Sequence, residues 1–289
     1  MKNSYKICAW NPNGIRALFT KSASEVKRLC QEHDPDIIVW NEIKGNLSKH
    51  AEIEKVVTGV LPNYRWFWNH ADKAGRHGVA ISIKPHINIL AISYGFGGSE
   101  KEPEGRLITL ELESFYVIGI YGVNAGVDNL SRLEYKIEWI LKLLQYMNCL
   151  KARGKHVIVI GDWNIAPTNL DVHDPRRLEG CAGFTAEERT VFKAIMNNGW
   201  VDVFRFKNPD KELYSFYSGK TKDGKKYGGW RIDHAIVNAE LKLDHCKMQI
   251  LKEYNGSDHV PILFHVSDVP ICEIIKPLCG NAKLQIVSK

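Results

Sequence analysis

The chain has 289 residues and a formal net charge of +6, with 44% hydrophobic and 25% charged residues. This composition is ordinary for a folded, soluble protein and supplies ample apolar material for a large core. No apolar run approaches the roughly 20 residues that a membrane span requires, and the N-terminal residues lead directly into a strand pattern without a signal peptide. The seven cysteines contain no C-x-x-C pair, so we expect reduced thiols and neither a disulfide framework nor a zinc site.

Short apolar runs, taken in chain order, predict a series of β-strands. The runs are Tyr5–Trp10, Asp36–Asn41, Gly78–Lys84, Arg106–Leu112, Phe115–Tyr121, His156–Ile160, Arg231–Val237 and Val260–Val266. Several of them are apolar at consecutive positions, which is typical of strands that are covered on both faces.

Helices are predicted where a Ser or Thr is followed three residues later by Glu, the pattern of a capping box. The pairs are Ser22 with Glu25, Ser131 with Glu134, and Thr185 with Glu188. Their predicted ends are marked by Pro35, Gly154 and Gly199. Because the strands show both hairpin and crossover connections, we expect mixed sheets with helices on the outside.

Polar side chains follow the ends of several predicted strands, where α/β proteins usually build their sites. These groups are Asn11-Pro12-Asn13-Gly14, Asn41-Glu42, Asp162-Trp163-Asn164, Asp233, and Ser257-Asp258-His259. Each group alone has a structural explanation, such as a turn, a cap or a solvated loop. Together they predict several carboxylates in one cleft, which is unfavourable unless a cation or an imidazole compensates the charge.

A magnesium ion would suit this cluster, because it is a hard cation that binds one or two carboxylates together with waters and phosphate oxygens. His259 supplies an imidazole, and Asp233 is the carboxylate placed to orient it. Phosphodiester hydrolysis needs a metal that neutralises phosphate charge, a group that prepares water, and donors for the developing charge. The residues therefore predict a metal-dependent phosphodiesterase, for which the positive net charge favours a polyanionic substrate.

Longer strings surround these polar groups in a fixed order between about Lys6 and Val266. They are W-N-P-N-G-I-R-A from Trp10, N-E-I-K from Asn41, R-L-E-Y-K from Arg132, G-D-W-N-I-A-P from Gly161, G-F-T-A-E-E-R from Gly183, G-W-R-I-D from Gly229 and G-S-D-H-V-P-I from Gly256. The chain thereby resembles the exonuclease III branch of class II apurinic/apyrimidinic (AP) endonucleases, within the endonuclease/exonuclease/phosphatase superfamily. R-L-E-Y and G-W-R-I-D point to this branch, whereas S-D-H alone would fit the whole superfamily.

The resemblance implies a fold and a domain organisation. The fold is a four-layer α/β sandwich, in which two mixed β-sheets pack face to face with helices on the outside. Residues 1–268 would form a single catalytic domain, and residues 269–289 would form a C-terminal tail whose structure the sequence leaves open.

The resemblance also implies roles for individual residues. The catalytic residues would be Asp162, which orients or deprotonates the attacking water, His259, Asp233, Tyr121 and Asn164. The metal would be held by Glu42, with Asn13, Asp258, Asn11, Asp162 and Asn164 as further or supporting ligands. Substrate would be bound by Asn124, Arg16, Lys44, Phe216, Trp230 and Ile232, the last three around an extruded abasic sugar. The implied cofactor is Mg²⁺, for which Mn²⁺ can substitute.

The implied activity is hydrolysis of the phosphodiester 5′ to an abasic site, which leaves a 3′-hydroxyl. Activities at blocked 3′ ends and 3′→5′ exonuclease action would use the same site. The partner would be double-stranded DNA with abasic sites or blocked 3′ ends, and we expect a monomer with no membrane association. The location would be intracellular, in the nucleus of a eukaryote or the cytoplasm of a prokaryote. Two alternatives remain: another superfamily phosphatase or phosphodiesterase, and a weakly catalytic nucleic-acid-binding protein.

Several positions depart from the family pattern and bear on substrate preference. They are Pro12, Asn41, His77, Val123 and Tyr217, and the loop Arg176–Cys181 lacks the Asn residues of some relatives. Basic residues beside the motifs are candidates for further DNA contacts or for a solvated loop: Arg76, Lys220, Lys222, Lys225 and Lys226.

Overall fold

The computed structural model describes residues 4–97, 102–221, 224–267 and 285–286. The strands are β1 (Ser4–Trp10), β2 (Ile37–Trp40), β3 (Arg65–Asn69), β4 (Val79–Ile83), β5 (Ala91–Tyr94), β6 (Leu107–Glu111), β7 (Phe115–Tyr121), β8 (His156–Asp162), β9 (Trp200–Asp202), β10 (Phe216–Lys220), β11 (Lys226–Trp230), β12 (Asp233–Asn238), β13 (Cys246–Ile250), β14 (Ile262–Ser267) and β15 (Gln285–Ile286). The α-helices are α1 (Ile15–Lys21), α2 (Ala23–His33), α3 (His50–Val60), α4 (Leu133–Lys151), α5 (Pro175–Leu178), α6 (Ala186–Asn197) and α7 (Val203–Lys207).

The strands form two mixed sheets and a separate two-stranded ribbon. The first sheet has the order β13-β14-β1-β2-β4-β3, and the second has the order β15-β5-β6-β7-β8-β12-β9. Each sheet contains one parallel pair, β1 with β2 and β7 with β8, and all other pairs are antiparallel. The ribbon consists of β10 and β11. The predicted tail, 269–289, lies outside the described residues except for β15, which pairs with β5.

The side chains of both sheets alternate between an inner and an outer apolar layer. Ile7 and Val39 of the first sheet share one buried cluster with Val117 and Ile158 of the second, so the sheets pack face to face. A second cluster joins the outer face of the second sheet to α4 and α6. A third joins the outer face of the first sheet to α1, α2 and α3. This arrangement confirms the predicted four-layer α/β sandwich.

Only one of the predicted capping boxes forms at a helix start. The Thr185 hydroxyl accepts from the Glu188 amide at 3.1 Å, and the Glu188 carboxylate accepts from the Thr185 amide at 2.9 Å. The box at Ser22 was wrong, because Glu25 instead accepts from the Asn255 amide at 2.9 Å.

The predicted box at Ser131 was also wrong, because α4 begins at Leu133 with Arg132 in the capping position and no side-chain cap. The backbone amide of Arg132 donates to the Ala125 carbonyl at 2.9 Å, and this hydrogen bond closes the loop between the two residues. A tertiary contact therefore decides where this helix starts.

No helix among the described residues is both long and apolar enough to cross a membrane.

Candidate active site

The carboxyl ends of strands from both sheets meet at one edge of the sandwich. Trp10 and Trp40, the last residues of β1 and β2, are paired, so Asn11 and Glu42 follow side by side. Tyr121 and Asp162 are likewise paired at the ends of β7 and β8. Asp233, the first residue of β12, is paired with Asp162 across the edge of β8 that faces away from β7. The expectation that polar groups at strand ends converge is therefore confirmed by the topology.

Gly161 allows this close approach, because a Cβ there would overlap the Ile120 carbonyl oxygen. Its φ of +144° lies in a region that side chains rarely adopt. The glycine of the G-D-W-N string thus permits β8 to present Asp162 beside the end of β7.

A buried imidazole lies between two carboxylates at the centre of this edge. His259 Nδ1 is 2.8 Å from Asp233 Oδ2, and its Nε2 is 3.8 Å from Asp162 Oδ2. All three side chains are almost fully buried. The Ser215 hydroxyl accepts from the Asp233 amide at 3.1 Å, and this positions the carboxylate that orients the ring. The predicted pairing of His259 with Asp233 is therefore present.

The protonation of this group follows from its surroundings. Burial favours a neutral ring, but the Asp233 and Asp162 carboxylates outweigh it and raise the pKa of His259. Burial and the neighbouring Asp233 carboxylate raise the pKa of Asp162, against the opposing effects of His259 and Asn11. The protonation states of His259 and Asp162 thus depend on each other.

A more open group of oxygen-bearing side chains lies next to this triad. Asn11 Nδ2 donates to Asp162 Oδ2 at 2.9 Å and to Glu42 Oε2 at 3.2 Å, so it links the two carboxylates. Asn13 Nδ2 donates to Asp258 Oδ2 at 3.1 Å. Lys44 Nζ lies 3.2 Å from Glu42 Oε1 and also donates to Asn13 Oδ1. The structure therefore joins the predicted metal ligands through one hydrogen-bonded chain.

One set of side chains in the described residues brings three potential ligands within reach of a single cation. Oxygen and nitrogen atoms of Asp162, Asp233 and His259 all lie within 4.8 Å of one another. In that set, however, the His259 Nδ1 is already engaged with Asp233. Glu42 and Asp258 carry only oxygen donors and are partly exposed, which fits a hard cation that retains water. Glu42 and Asp258 thus offer oxygen donors of the kind that divalent metal ions use.

Asn164 and Asn124 form the wall of the cleft on the second sheet. The Asn164 amide donates to Asp162 Oδ1 at 2.8 Å, and its side-chain Nδ2 donates to the Gly122 carbonyl at 3.0 Å. Asn124 Nδ2 donates to Asn164 Oδ1 at 3.2 Å. Asn164 has a φ of +54°, which an Asn tolerates better than most residues.

A buried ion pair supports this wall from behind and was not assigned a role from the sequence. Lys136 Nζ lies 2.5 Å from Glu188 Oε1, with both side chains fully buried, and it donates to the Asn164 carbonyl at 2.6 Å. Glu188 also caps α6. The R-L-E-Y-K string contains this lysine, and the G-F-T-A-E-E-R string contains this glutamate. Both strings therefore contribute a residue to the ion pair that packs behind Asn164.

A second missed network holds Tyr121. Arg106 lies over the Tyr121 ring, with 4.8 Å between its Cζ and the ring centroid, and donates to the Tyr121 carbonyl at 2.9 Å. His77 Nδ1 lies 2.9 Å from Arg106 Nη2, and His77 Nε2 lies 3.2 Å from Glu104. Burial, followed by the Glu42 and Asp162 carboxylates, raises the pKa of Tyr121 well above its usual range. The phenol therefore remains a hydrogen-bond donor at neutral pH.

The three residues predicted to surround the sugar belong to one small apolar cluster. Ile232 is buried in it, while Phe216 and Trp230 pack against it and are half-buried. Phe216 and Trp230 face each other across the β10–β11 ribbon. The Phe216 ring lies 4.9 Å from the His259 ring. The cluster is thus in direct contact with the His259 imidazole.

The basic residues near the cleft differ in their surroundings. Arg16 forms an exposed ion pair with Glu52 at 2.6 Å, which is weak enough to be exchanged for another anion. Arg76, Lys220 and Lys225 are exposed, and Lys222 lies outside the described residues. Lys226 instead donates to the carbonyls of Lys252 and Tyr254 at 2.8 and 2.7 Å. Its ammonium therefore anchors the ribbon, which favours a structural role over DNA contact.

Comparison with known proteins agrees with this geometry. The profile of the Endonuclease/Exonuclease/phosphatase family matches residues 8–259. A DNA-(apurinic or apyrimidinic site) endonuclease of Dictyostelium discoideum is 36% identical over 90% of this chain and 70% of its own length. An exodeoxyribonuclease of Bacillus subtilis is 35% identical over 89% of this chain and 97% of its own.

Solved structures give the same result. An AP endonuclease from Leishmania major superposes with a TM-score of 0.82 at 25% identity, covering 92% of this chain and 88% of that one. An AP endonuclease from Archaeoglobus fulgidus superposes with a TM-score of 0.75 at 27% identity, covering 92% of this chain and 100% of that one. The chain belongs to the endonuclease/exonuclease/phosphatase family, within its branch of AP endonucleases and exonuclease III-like enzymes. The prediction of a nuclease-class hydrolase is thereby confirmed.

Proposed function

We propose that the protein is a DNA-repair AP endonuclease, which hydrolyses the phosphodiester 5′ to an abasic site and leaves a 3′-hydroxyl. It also removes blocking groups from 3′ ends, and 3′→5′ exonuclease action uses the same site. The observation that supports this most is the contact between the half-buried apolar cluster and His259, through the Phe216 ring at 4.9 Å. A small apolar pocket beside a phosphate-cleaving group fits a sugar that has lost its base.

In the proposed reaction, the side chains of the cleft have different roles. Asp162 lies beside Asn164, and together they position a water molecule for attack on phosphorus, with Asp162 as the acceptor of its proton. His259, kept in orientation by Asp233, donates to a phosphate oxygen, where negative charge accumulates. Tyr121 and Asn124 contribute further donors to the same phosphate. Glu42, with Asn13 and Asp258 nearby, would hold a divalent cation, which would neutralise phosphate charge.

Activity should depend on Mg²⁺, with Mn²⁺ as a substitute, because Glu42 and Asp258 present hard oxygen donors in the open part of the cleft. We expect EDTA to abolish incision and added Mg²⁺ to restore it. Glu42→Gln should raise the Mg²⁺ concentration for half-maximal rate by about tenfold or more, because one formal charge is removed from the ligand set. The measurement is the single-turnover incision rate across a Mg²⁺ titration.

The matched control for this titration is Glu187→Gln, which makes the same change at an exposed position of α6. Its Mg²⁺ dependence should equal that of the unmodified protein. Full incision in EDTA at neutral pH would contradict the metal role.

Trp230→Ala should relax the discrimination between abasic and intact DNA. The side chain narrows the pocket, so its removal admits a nucleotide that still carries a base, whereas the triad that cleaves phosphate is unchanged. We expect the ratio of incision rates on abasic and intact duplexes to fall by about tenfold or more, the scale on which pocket shape discriminates. Trp68→Ala is the control, since Trp68 is also half-buried but lies on β3. An unchanged ratio in a folded Trp230 variant would show that Trp230 only packs against its neighbours and does not select abasic DNA.

The proposed partner is double-stranded DNA with abasic sites or blocked 3′ ends. Lys44 beside Glu42 and the exposed Arg16 are the basic groups best placed to contact its backbone. We propose residues 1–268 as the catalytic unit, acting as a monomer inside the cell. The compartment would be the one that holds the DNA, the nucleus of a eukaryote or the cytoplasm of a prokaryote.

A further inference from the structure

The buried pair of Lys136 on α4 and Glu188 on α6 contacts two separate parts of the proposed site. The Lys136 ammonium lies 2.5 Å from Glu188 Oε1 and donates to the Asn164 backbone carbonyl at 2.6 Å. The same Glu188 oxygen accepts from the Gly183 amide at 3.0 Å. The pair therefore connects the backbone of Asn164 to the loop that precedes α6.

The contact with Asn164 holds a backbone conformation that the residue does not favour by itself. Its φ of +54° lies in the left-handed region, where a non-glycine residue persists only if its surroundings hold it. The Asn164 amide donates to Asp162 at 2.8 Å, and its side chain donates to the Gly122 carbonyl at 3.0 Å. Lys136 holds the remaining polar group of the backbone, the carbonyl, through a charge-assisted hydrogen bond of the stronger kind. Without it, the Asn164 side chain is expected to leave its position beside Asp162.

The contact with Gly183 reaches the apolar cluster that is predicted to surround the sugar. Gly183 has a φ of +90°, and a Cβ there would lie 3.2 Å from the Asn164 carbonyl oxygen and 3.4 Å from the Trp230 ring. The next residue, Phe184, is fully buried in the cluster, and its ring is edge-on to Trp230 with 6.5 Å between centroids. The Glu188 carboxylate therefore fixes the loop that forms one wall of the pocket.

We propose that Lys136 and Glu188 are positioning residues, which hold Asn164 for phosphodiester hydrolysis and hold the pocket wall at Gly183 and Phe184 in register with it. Neither side chain touches the substrate in this role. The inference rests on the proposed function and extends it, because lesion selection and hydrolysis then depend on the same buried pair.

A double variant separates this role from a contribution to stability alone. Lys136→Met by itself would leave the Glu188 carboxylate buried without its cation, which is strongly destabilising. Combining it with Glu188→Gln removes both charges, and the new amide oxygen can still accept from the Thr185 amide that begins α6. The hydrogen bonds to the Asn164 carbonyl and from the Gly183 amide are lost.

We expect this double variant to lower kcat for an abasic duplex by about tenfold or more, since small displacements of a positioned group carry large kinetic costs. KM should change by less than about threefold, because the lost contacts are not made to the substrate. The ratio of incision rates on abasic and intact duplexes should also fall, by about threefold or more, as the pocket wall shifts. All rates are expressed per folded molecule, with the folded fraction taken from circular dichroism.

The matched control is the double variant Lys155→Met with Glu111→Gln. Lys155 Nζ lies 2.6 Å from Glu111 Oε1 and donates to the Leu112 carbonyl at 2.9 Å, so the same kinds of contact are lost. Lys155 precedes β8, however, at the end of the strand opposite Asp162. The kcat and the discrimination ratio of this control should stay within about twofold of the unmodified protein.

Bis(4-nitrophenyl) phosphate, a small phosphodiester, is measured in Mg²⁺ beside the duplexes. The Lys136 and Glu188 double variant should also hydrolyse it about tenfold or more slowly, because Asn164 serves hydrolysis whatever is attached to the phosphate. Rates per folded molecule that match the control variant, or a loss confined to KM, would overturn the positioning role. A lower kcat with an unchanged discrimination ratio would overturn the link to the pocket. Hydrolysis of the small diester without incision of abasic DNA, by the unmodified protein, would instead contradict the proposed function.

Discussion

Replacement of Asp162 by Asn is expected to lower the turnover of an abasic duplex by about 10²–10⁴-fold, the usual contribution of general acid–base catalysis. The Asp162 carboxylate accepts a hydrogen bond from the Asn164 amide through Oδ1, at 2.8 Å. Its Oδ2 lies 3.8 Å from His259 Nε2. An Asn side chain retains the shape and one acceptor, but it cannot take a proton from water. The loss should therefore appear in kcat and leave the affinity for DNA nearly unchanged.

The measurement is single-turnover incision together with a binding titration on the same duplex. Asp210→Asn is the matched control, because it makes the same change at an exposed position outside the cleft strings. Incision by the Asp162 variant within a few-fold of the unmodified protein would show that another group prepares the water.

His259→Ala should also cost orders of magnitude in turnover, whereas Asp233→Asn should cost distinctly less. His259 meets the substrate in the proposed mechanism, and Asp233 acts only through it, by holding Nδ1 at 2.8 Å. An Asn at position 233 can still accept a hydrogen bond from the ring, although it no longer favours the charged imidazole. The expected order of rates is therefore unmodified protein, Asp233→Asn, then His259→Ala.

Incision rates of the two variants on one abasic duplex, measured at the same pH and Mg²⁺ concentration, give this order directly. His86→Ala, at an exposed position, controls for loss of an imidazole as such. A larger loss from Asp233→Asn than from His259→Ala would contradict the assigned order of action.

The strands that the sequence predicts are those with strong apolar runs in the middle of the sheets. Phe115–Tyr121 was predicted with the bounds that the structure has. Several missed strands lie at the sheet edges or in the ribbon, such as β3, β13 and β10, where polar or aromatic residues interrupt the apolar pattern. These strands are determined by pairing with distant neighbours, a contribution that no local pattern contains.

The helices show the same limit. α3 has no side-chain cap, and α1 begins at Ile15 after Gly14, which supplies no side-chain cap, so neither has a local start signal. Both are packed by their apolar faces against the first sheet. Tertiary burial, rather than capping, therefore determines where they form.

The candidate site was predictable to the extent that it is built from strand ends. The polar groups after β1, β2 and β8 are brought together by parallel pairing within each sheet and by packing of the sheets. The supporting residues Lys136, Glu188 and Arg106 could not be assigned, because they reach the site from helices and neighbouring strands. A charged residue inside a motif string that lies within a helix is the signal that could have found Lys136 and Glu188, whereas Arg106 lies in no motif string.

The most direct test of the proposed function is incision of a 5′-labelled duplex that contains one abasic site, in Mg²⁺ and in EDTA. The proposal predicts a single cut on the 5′ side of the site in Mg²⁺ alone, with a product that a DNA polymerase can extend from its 3′-hydroxyl. An intact duplex of the same sequence should be cut far more slowly. A cut on the 3′ side by elimination, incision that persists in EDTA, or no incision by the folded protein would contradict it.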